Sequence, residues 1–127
     1  MKNIWEIEPK IMEFDHTGMK CIILRMPRLL HLCGYVGLLP EHPLYGKDYN
    51  FRAVSRLEVH GGITYCGSHP NGISHTLWWI GFDCAHAGDL CPGNDMKRST
   101  EFYKDIHYVK HETEQLAEQL AKMMVTK

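Results

Sequence analysis

Along the first third of the chain, apolar, β-compatible runs are broken by turn residues, and near the C-terminus the apolar positions switch to a helical period. Residues 10–14 and 19–26 are apolar and β-compatible, and Asp15-His16-Thr17-Gly18 between them suits a tight turn, so they predict a hairpin. Residues 29–39 predict another strand, in which Gly34 and Gly37 permit a bulge or the close approach of a backbone or ligand. The prolines, glycine and tyrosines of residues 40–49 predict a stiffened loop, either a flap over a site or a packed surface connection. In residues 56–65 strict alternation sets Glu58, His60, Gly62 and Thr64 opposite Leu57, Val59, Ile63 and Tyr65, the pattern of a half-buried strand. With turn-rich residues 67–72 and a strand over 74–82, it predicts a second hairpin. After a loop at 90–95, Phe102, Ile106, Val109, Thr113, Leu116, Leu120 and Met123 mark the apolar stripe of a helix starting near Thr100, capped by Ser99 or Thr100. Glu118 and Lys122 are spaced to pair on its exposed face. The expected fold is α+β, an antiparallel sheet packed against one long C-terminal helix, in a single domain spanning residues 1–127.

Composition narrows the partners. With 14 basic and 15 acidic side chains the net charge is −1, so nothing draws the chain to duplex nucleic acid or an anionic membrane. No apolar run has the length of a membrane span, and residues 1–8 lack the apolar core of a signal peptide, so a cytoplasmic location is expected. The five cysteines are odd in number and form no CxxC pair, which fits a reducing compartment without a disulfide framework.

Candidate chemistry gathers at two junctions. In Trp78-Trp79-Ile80-Gly81-Phe82-Asp83-Cys84-Ala85-His86-Ala87-Gly88-Asp89 an apolar strand runs directly into ionisable residues. Asp83, His86 and Asp89 recur every third residue, so a turning chain would bring them together as candidate ligands for a divalent metal, with Glu58 or His60 completing the shell. The same residue types also serve as turn formers at a strand exit. A structural zinc on Cys66, Cys84, His86 and Cys91 is a weaker alternative, because paired cysteine spacing is missing. At the second junction, His60-Gly61-Gly62 either forms a bulge or presents backbone amides to a phosphate. No GxSxG elbow accompanies it, which excludes serine-esterase chemistry. Trp78 and Trp79 point to opposite sheet faces, one toward the helix and the other toward a pocket or the far side. With Tyr65 they could offer a stacking surface to a base.

The segments Gly34-Tyr35-Val36-Gly37, His42-Pro43-Leu44-Tyr45-Gly46, Val59-His60-Gly61-Gly62-Ile63-Thr64-Tyr65 and Trp78 to Asp89 together resemble a small family of phage and prophage proteins. So do Tyr103-Lys104-Asp105, Tyr108-Val109 and Leu116-Ala117-Glu118-Gln119-Leu120. The resemblance implies a viral origin and a bacterial host cytosol, but no reaction. Small phage proteins of this kind include some that sequester nucleotide signals of bacterial immunity at subunit interfaces. The expected function is therefore binding, as an anti-defence factor, of a small nucleotide-like ligand. Its site would comprise His60, Gly61, Gly62, Tyr65, Trp78, Trp79, Asp83 and Asp89. One alternative is a metal-dependent hydrolase in which His60 or His86 is the general base and the carboxylates, Asp83 and Asp89, hold the metal; another is a protein-interaction module. A homo-oligomer is expected from apolar residues flanking the helical stripe, namely Tyr103, Tyr108, Ala117, Ala121 and Met124.

Overall fold

A computed structural model describes residues 2–70 and 76–124. The elements run α1 (Ile4–Ile7), β1 (Ile11–His16), β2 (Met19–Arg25), β3 (Leu32–Leu38), α2 (Arg52–Ser55), β4 (Tyr65–Gly67), β5 (Trp78–Asp83) and α3 (Ile106–Lys122). The strands form one antiparallel sheet in the order β1-β2-β3-β5-β4, with α3 against one face, an α+β fold.

The first hairpin closes more tightly than its turn residues suggested. Asp15 and His16 belong to β1, His16 pairs with Met19, and only Thr17 and Gly18 turn, both at positive φ (49° and 77°). Positive φ at both turn residues is the conformation whose backbone matches the right-handed twist of the two strands in a two-residue hairpin. Strand β3 lies at the centre of the sheet and is buried along its whole length. Leu32, Val36 and Leu38 join Cys21, Ile23, Ile80 and Phe82 beneath Val109, Thr113, Leu116 and Leu120 of α3. The opposite face carries Ile22, Leu24, Cys33, Tyr35, Leu77 and Trp79. At Gly34 a Cβ would stand 2.2 Å from Thr113 Oγ1, so the glycine admits the helix rather than a ligand. Thr113, fully buried, donates its hydroxyl proton to the Val109 carbonyl at 2.7 Å.

Three boundaries differ from expectation. Residues 56–64 are not a strand: α2 ends just before them, Gly61 and Gly62 both take positive φ (69° and 82°), and the Gly62 amide closes a turn onto the Val59 carbonyl at 2.9 Å. Pairing begins only at Tyr65, so the second hairpin is short; Asn71 to His75 lie outside the described residues. Helix α3 starts at Ile106 rather than near Thr100, because Phe102 is held extended: its amide donates to the Gly88 carbonyl and its own carbonyl accepts the Leu90 amide, each at 2.9 Å. Phe102 is 70% exposed and leaves the stripe, and the cap is Asp105, whose carboxylate accepts the Tyr108 amide at 2.9 Å. Glu118 meets His16 at 2.7 Å, tying the hairpin tip to the helix.

The flank that suggested an oligomer is largely engaged within the chain. Ala117 is fully buried, the Tyr103 hydroxyl lies between Glu8 and Arg25, and the Tyr108 hydroxyl contacts His60. All five cysteines are free thiols, and burial pushes those of Cys21 and Cys33 up to about 12. Among the described residues no helix is long and apolar enough to cross a membrane.

Candidate functional site

The two polar junctions meet at the C-terminal end of β5. A polar stripe on α3, beside its apolar one, holds the first. The Gln119 side chain accepts the Glu58 amide at 2.8 Å and donates to the Glu58 carbonyl at 2.7 Å, while Glu112 accepts the His60 amide at 2.8 Å. These bonds give an irregular segment the backbone partners that a strand would have found in the sheet. The second junction leaves β5 at Asp83 and turns, with the Asp89 amide donating to the His86 carbonyl at 2.9 Å. The bridge to Phe102 then anchors Asp89.

Asp89 is the hub. Its side chain is 2% exposed, and His60 Nε2 donates to its two oxygens at 3.0 and 2.8 Å. The His86 amide donates to Oδ2 at 3.0 Å, and Lys104 Nζ stands 3.1 Å from Oδ1. Burial alone would raise this carboxyl, but the bonds from His60, the His86 amide and Lys104 outweigh it and hold the group below its ordinary range. Because Nε2 donates to the carboxylate, the other ring nitrogen, Nδ1, is left for Tyr108, whose hydroxyl oxygen lies 2.8 Å away. Burial first, then Glu112, pushes the Tyr108 hydroxyl up, which keeps it protonated.

His86 joins the two junctions physically. Its ring lies against Gly61, where a Cβ would come within 2.2 Å of Nε2, and 6.0 Å from the His60 ring. Nε2 is 3.0 Å from Asp83 Oδ1 yet lacks hydrogen-bond alignment, so the two attract by charge only when the ring is protonated. His31, just before β3, adds a third imidazole. Burial disfavours its protonated form, against the pull of Asp83 and Asp89, and its Nδ1 is buried without a hydrogen-bond partner.

The predicted residues therefore separate. His60, Gly61, Asp83, His86 and Asp89 come together. Gly62 lies next to them, but its amide is committed to Val59, so the two glycines do not form a two-amide phosphate cradle. The aromatic residues lie elsewhere. Trp78 stands at the other end of β5, roughly 17 Å away along the strand, where its indole donates to the Lys47 carbonyl at 2.9 Å and its ring meets Tyr45. Trp79 is buried on the far face, and Tyr65 packs edge-on against Tyr35 there. The 40–49 loop packs with Trp78 rather than over the cluster, as a surface connection. Glu112 and His31 were not singled out from the sequence, and Lys104 and Tyr108 entered only through the family resemblance and, for Tyr108, as an apolar flank of the helix, not as site residues. The only local hint was the spacing of Tyr108, Glu112 and Gln119 along one helical edge.

Among the described residues, the metal-type donors whose ligand atoms all lie within 4.8 Å of one another are His60, Cys84 and Asp89. Neither Asp83 with His86 and Asp89, nor Cys66 with Cys84, His86 and Cys91, forms such a group. A hollow of about 780 Å³ opens beside the turn, lined by Ala87, Gly88, Asn94, Lys97, Arg98 and Glu101. A more apolar cavity of about 800 Å³ lies at the opposite end of the sheet, between the first hairpin, Leu39, Leu77 and Met124, away from all of this chemistry. No family model, curated protein or solved structure matches the chain.

Proposed function

We propose that the chain binds a small phosphorylated, nucleotide-like ligand at the C-terminal end of β5 and retains it unchanged. The observation that carries this reading is the buried Asp89 carboxylate, around which His60, the His86 amide and Lys104 converge. Desolvating a carboxylate, an ammonium and an imidazole together is a poor way to gain stability, so such a network suggests a site. Lys97 and Arg98 in the adjoining hollow add positive charge for an anionic group, and the half-buried Asp83 offers acceptors to hydroxyls. Base stacking on Trp78, Trp79 or Tyr65 has no part in this version; Tyr108 is the aromatic side chain at hand.

The test is equilibrium dialysis of the purified protein against a panel of linear and cyclic nucleotides, followed by analysis of the free and heat-released fractions. Intact nucleotide recovered after denaturation is expected. Replacing the exposed Lys97 and Arg98 together by serine should weaken retention at least about tenfold, or roughly 1.4 kcal/mol, without moving the melting temperature. Depletion of no nucleotide refutes the reading, and recovery of a converted product replaces it with a hydrolase.

A further inference from the structure

The geometry points to a divalent-cation site of the zinc class, formed by His60 Nε2, the Cys84 thiolate and an Asp89 carboxylate oxygen, with the fourth position open to a ligand. The inference rests on the reading that this cluster is the functional site, and names what would meet the ligand's anionic group there.

Distance supports it first. Bond lengths of about 2.0–2.3 Å to nitrogen, oxygen and sulfur put neighbouring donors of a tetrahedral ion about 3.3–3.6 Å apart. One donor atom from each of the three residues lies within 4.8 Å of the other two, and His60 Nε2 is already 2.8 Å from Asp89 Oδ2, so small side-chain adjustments would seat an ion.

The outer shell is also in place. A metal-bound imidazole usually hands its other N–H to a fixed acceptor, and a metal-bound carboxylate is usually held by a hydrogen bond. With an ion on Nε2, His60 Nδ1 carries the proton and donates to the Tyr108 oxygen, now 2.8 Å away. The His86 amide already holds Asp89. The backbone supports both loops independently, through Glu112 on the His60 amide and the Phe102 bridge beside Asp89.

Charge balances in both states. Without an ion, the Asp89 carboxylate is neutralised by Lys104. When an ion binds, the Cys84 thiol releases its proton to solvent. The dication, thiolate and carboxylate then sum to zero with a neutral imidazole, and the ammonium of Lys104, already 20% exposed, withdraws. Lys104 is thus the ion's competitor for Asp89.

The experiment titrates cobalt(II) into chelator-treated, full-length protein and records its absorption spectrum. The expected result is visible bands of a tetrahedral site with a thiolate-to-cobalt charge-transfer band, displaced by zinc. Cys84→Ser should lose the charge-transfer band, Tyr108→Phe should weaken the metal at least about tenfold, and Lys104→Met should strengthen it about tenfold. Should Cys84→Ser not fold, X-ray absorption of zinc on the parent protein decides: one sulfur at about 2.3 Å with lighter donors supports the site. A shell of oxygen and nitrogen alone overturns it, as does a Lys104→Met variant that binds metal more weakly. Nucleotide retention by metal-free protein with no cobalt spectrum would refute the ion and leave the ligand reading standing.

Discussion

Replacing Glu8 by glutamine should destabilise the protein more than most single substitutions, although the residue lies far from the polar cluster in sequence. Glu8 and Arg25 form a buried pair, 5% and 6% exposed at the side chain, with Nη2 2.9 Å from Oε1. Oε1 also accepts the Tyr103 hydroxyl at 2.5 Å, and Oε2 accepts the Ile106 amide, the first of α3, at 3.0 Å. One carboxylate thus ties the N-terminal segment, β2 and the start of the long helix together. In Glu8→Gln the amide oxygen can serve Arg25 and Tyr103, but the NH₂ then faces the Ile106 amide, donor against donor. The guanidinium is left buried without a counter-charge, and its Nε has no hydrogen-bond partner even in the parent.

Breaking a buried pair from one side costs about 3–5 kcal/mol, out of the roughly 5–15 kcal/mol that holds a domain folded. At about 2.1 cal/mol/K per residue, 127 residues give an unfolding entropy near 0.27 kcal/mol/K, so the melting temperature should fall by about 11–19 °C. Urea denaturation followed by circular dichroism and tryptophan fluorescence measures the loss, provided the m-value is unchanged. Adding Arg25→Met removes the stranded charge, so the double variant should recover about 2 kcal/mol relative to Glu8→Gln alone. A single-variant loss below about 1 kcal/mol, or a double variant no more stable than the single, would show that solvent reaches the pair and that the argument from burial is wrong.

Gly61→Ala and Gly62→Ala should separate backbone strain from steric exclusion. Both positions have positive φ, but a Cβ at 61 meets His86 while one at 62 meets nothing within 4 Å, so Gly61→Ala should cost about 1–3 kcal/mol more by thermal melting. Equal losses would mean that His86 moves aside freely. On the surface of α3, Glu114 is held below the ordinary carboxylate range, first by the Lys110 ammonium at 2.7 Å. A carboxyl lowered in the folded state contributes stability above its ordinary 4.5 and loses it as pH falls through the depressed value. Lys110→Met should therefore lower the melting temperature by about 1–2 °C at neutral pH, the effect of an i,i+4 pair worth about 0.3–0.5 kcal/mol. The part of that gap due to Glu114 should close in acid, leaving only the contact of the Lys110 ammonium with the Phe14 ring; a gap unchanged between neutral and acid pH refutes the assignment.

What could be read from the sequence was what period and turn chemistry determine locally. The first hairpin, the buried central strand, β5 and the apolar stripe from Ile106 to Leu120 all follow from spacing. Residues 56–65 show where spacing misleads. Leu57, Val59 and Ile63 pack against the core from an irregular segment as well as they would from a strand, and side-chain bonds from Glu112 and Gln119 supply what the sheet does not. Alternation records which side chains go inward, not which partner the backbone finds. At the site, the ionisable residues of the two junctions were visible because they interrupt apolar runs. Lys104 and Tyr108 were not, because what brings them in is a pairing between residue 89 and residue 102 that no local pattern encodes. The tryptophans misled for a related reason: adjacency to a polar junction in sequence became roughly 17 Å of separation along an extended strand.

That single bridge also explains why charge and support are matched at the cluster. Holding Phe102 extended beside Asp89 delays the helix until Asp105 can cap it, which places Lys104 on the last residue before the cap, within reach of Oδ1. The helix then begins with Tyr108 one turn in and Glu112 one turn further, the two side chains that orient the His60 ring and hold its amide. A helix begun at Thr100 would have had to break the Phe102 pairing and turn residues 101–105 into its first turn, undoing the placement of Lys104 and the cap on the Tyr108 amide. The position of the helix start, which looks like a detail of capping, is therefore what assembles the donors around Asp89. It follows that Asp105→Ala, which loses only the cap, should disturb the site more than its expected cost of about 1 kcal/mol would imply.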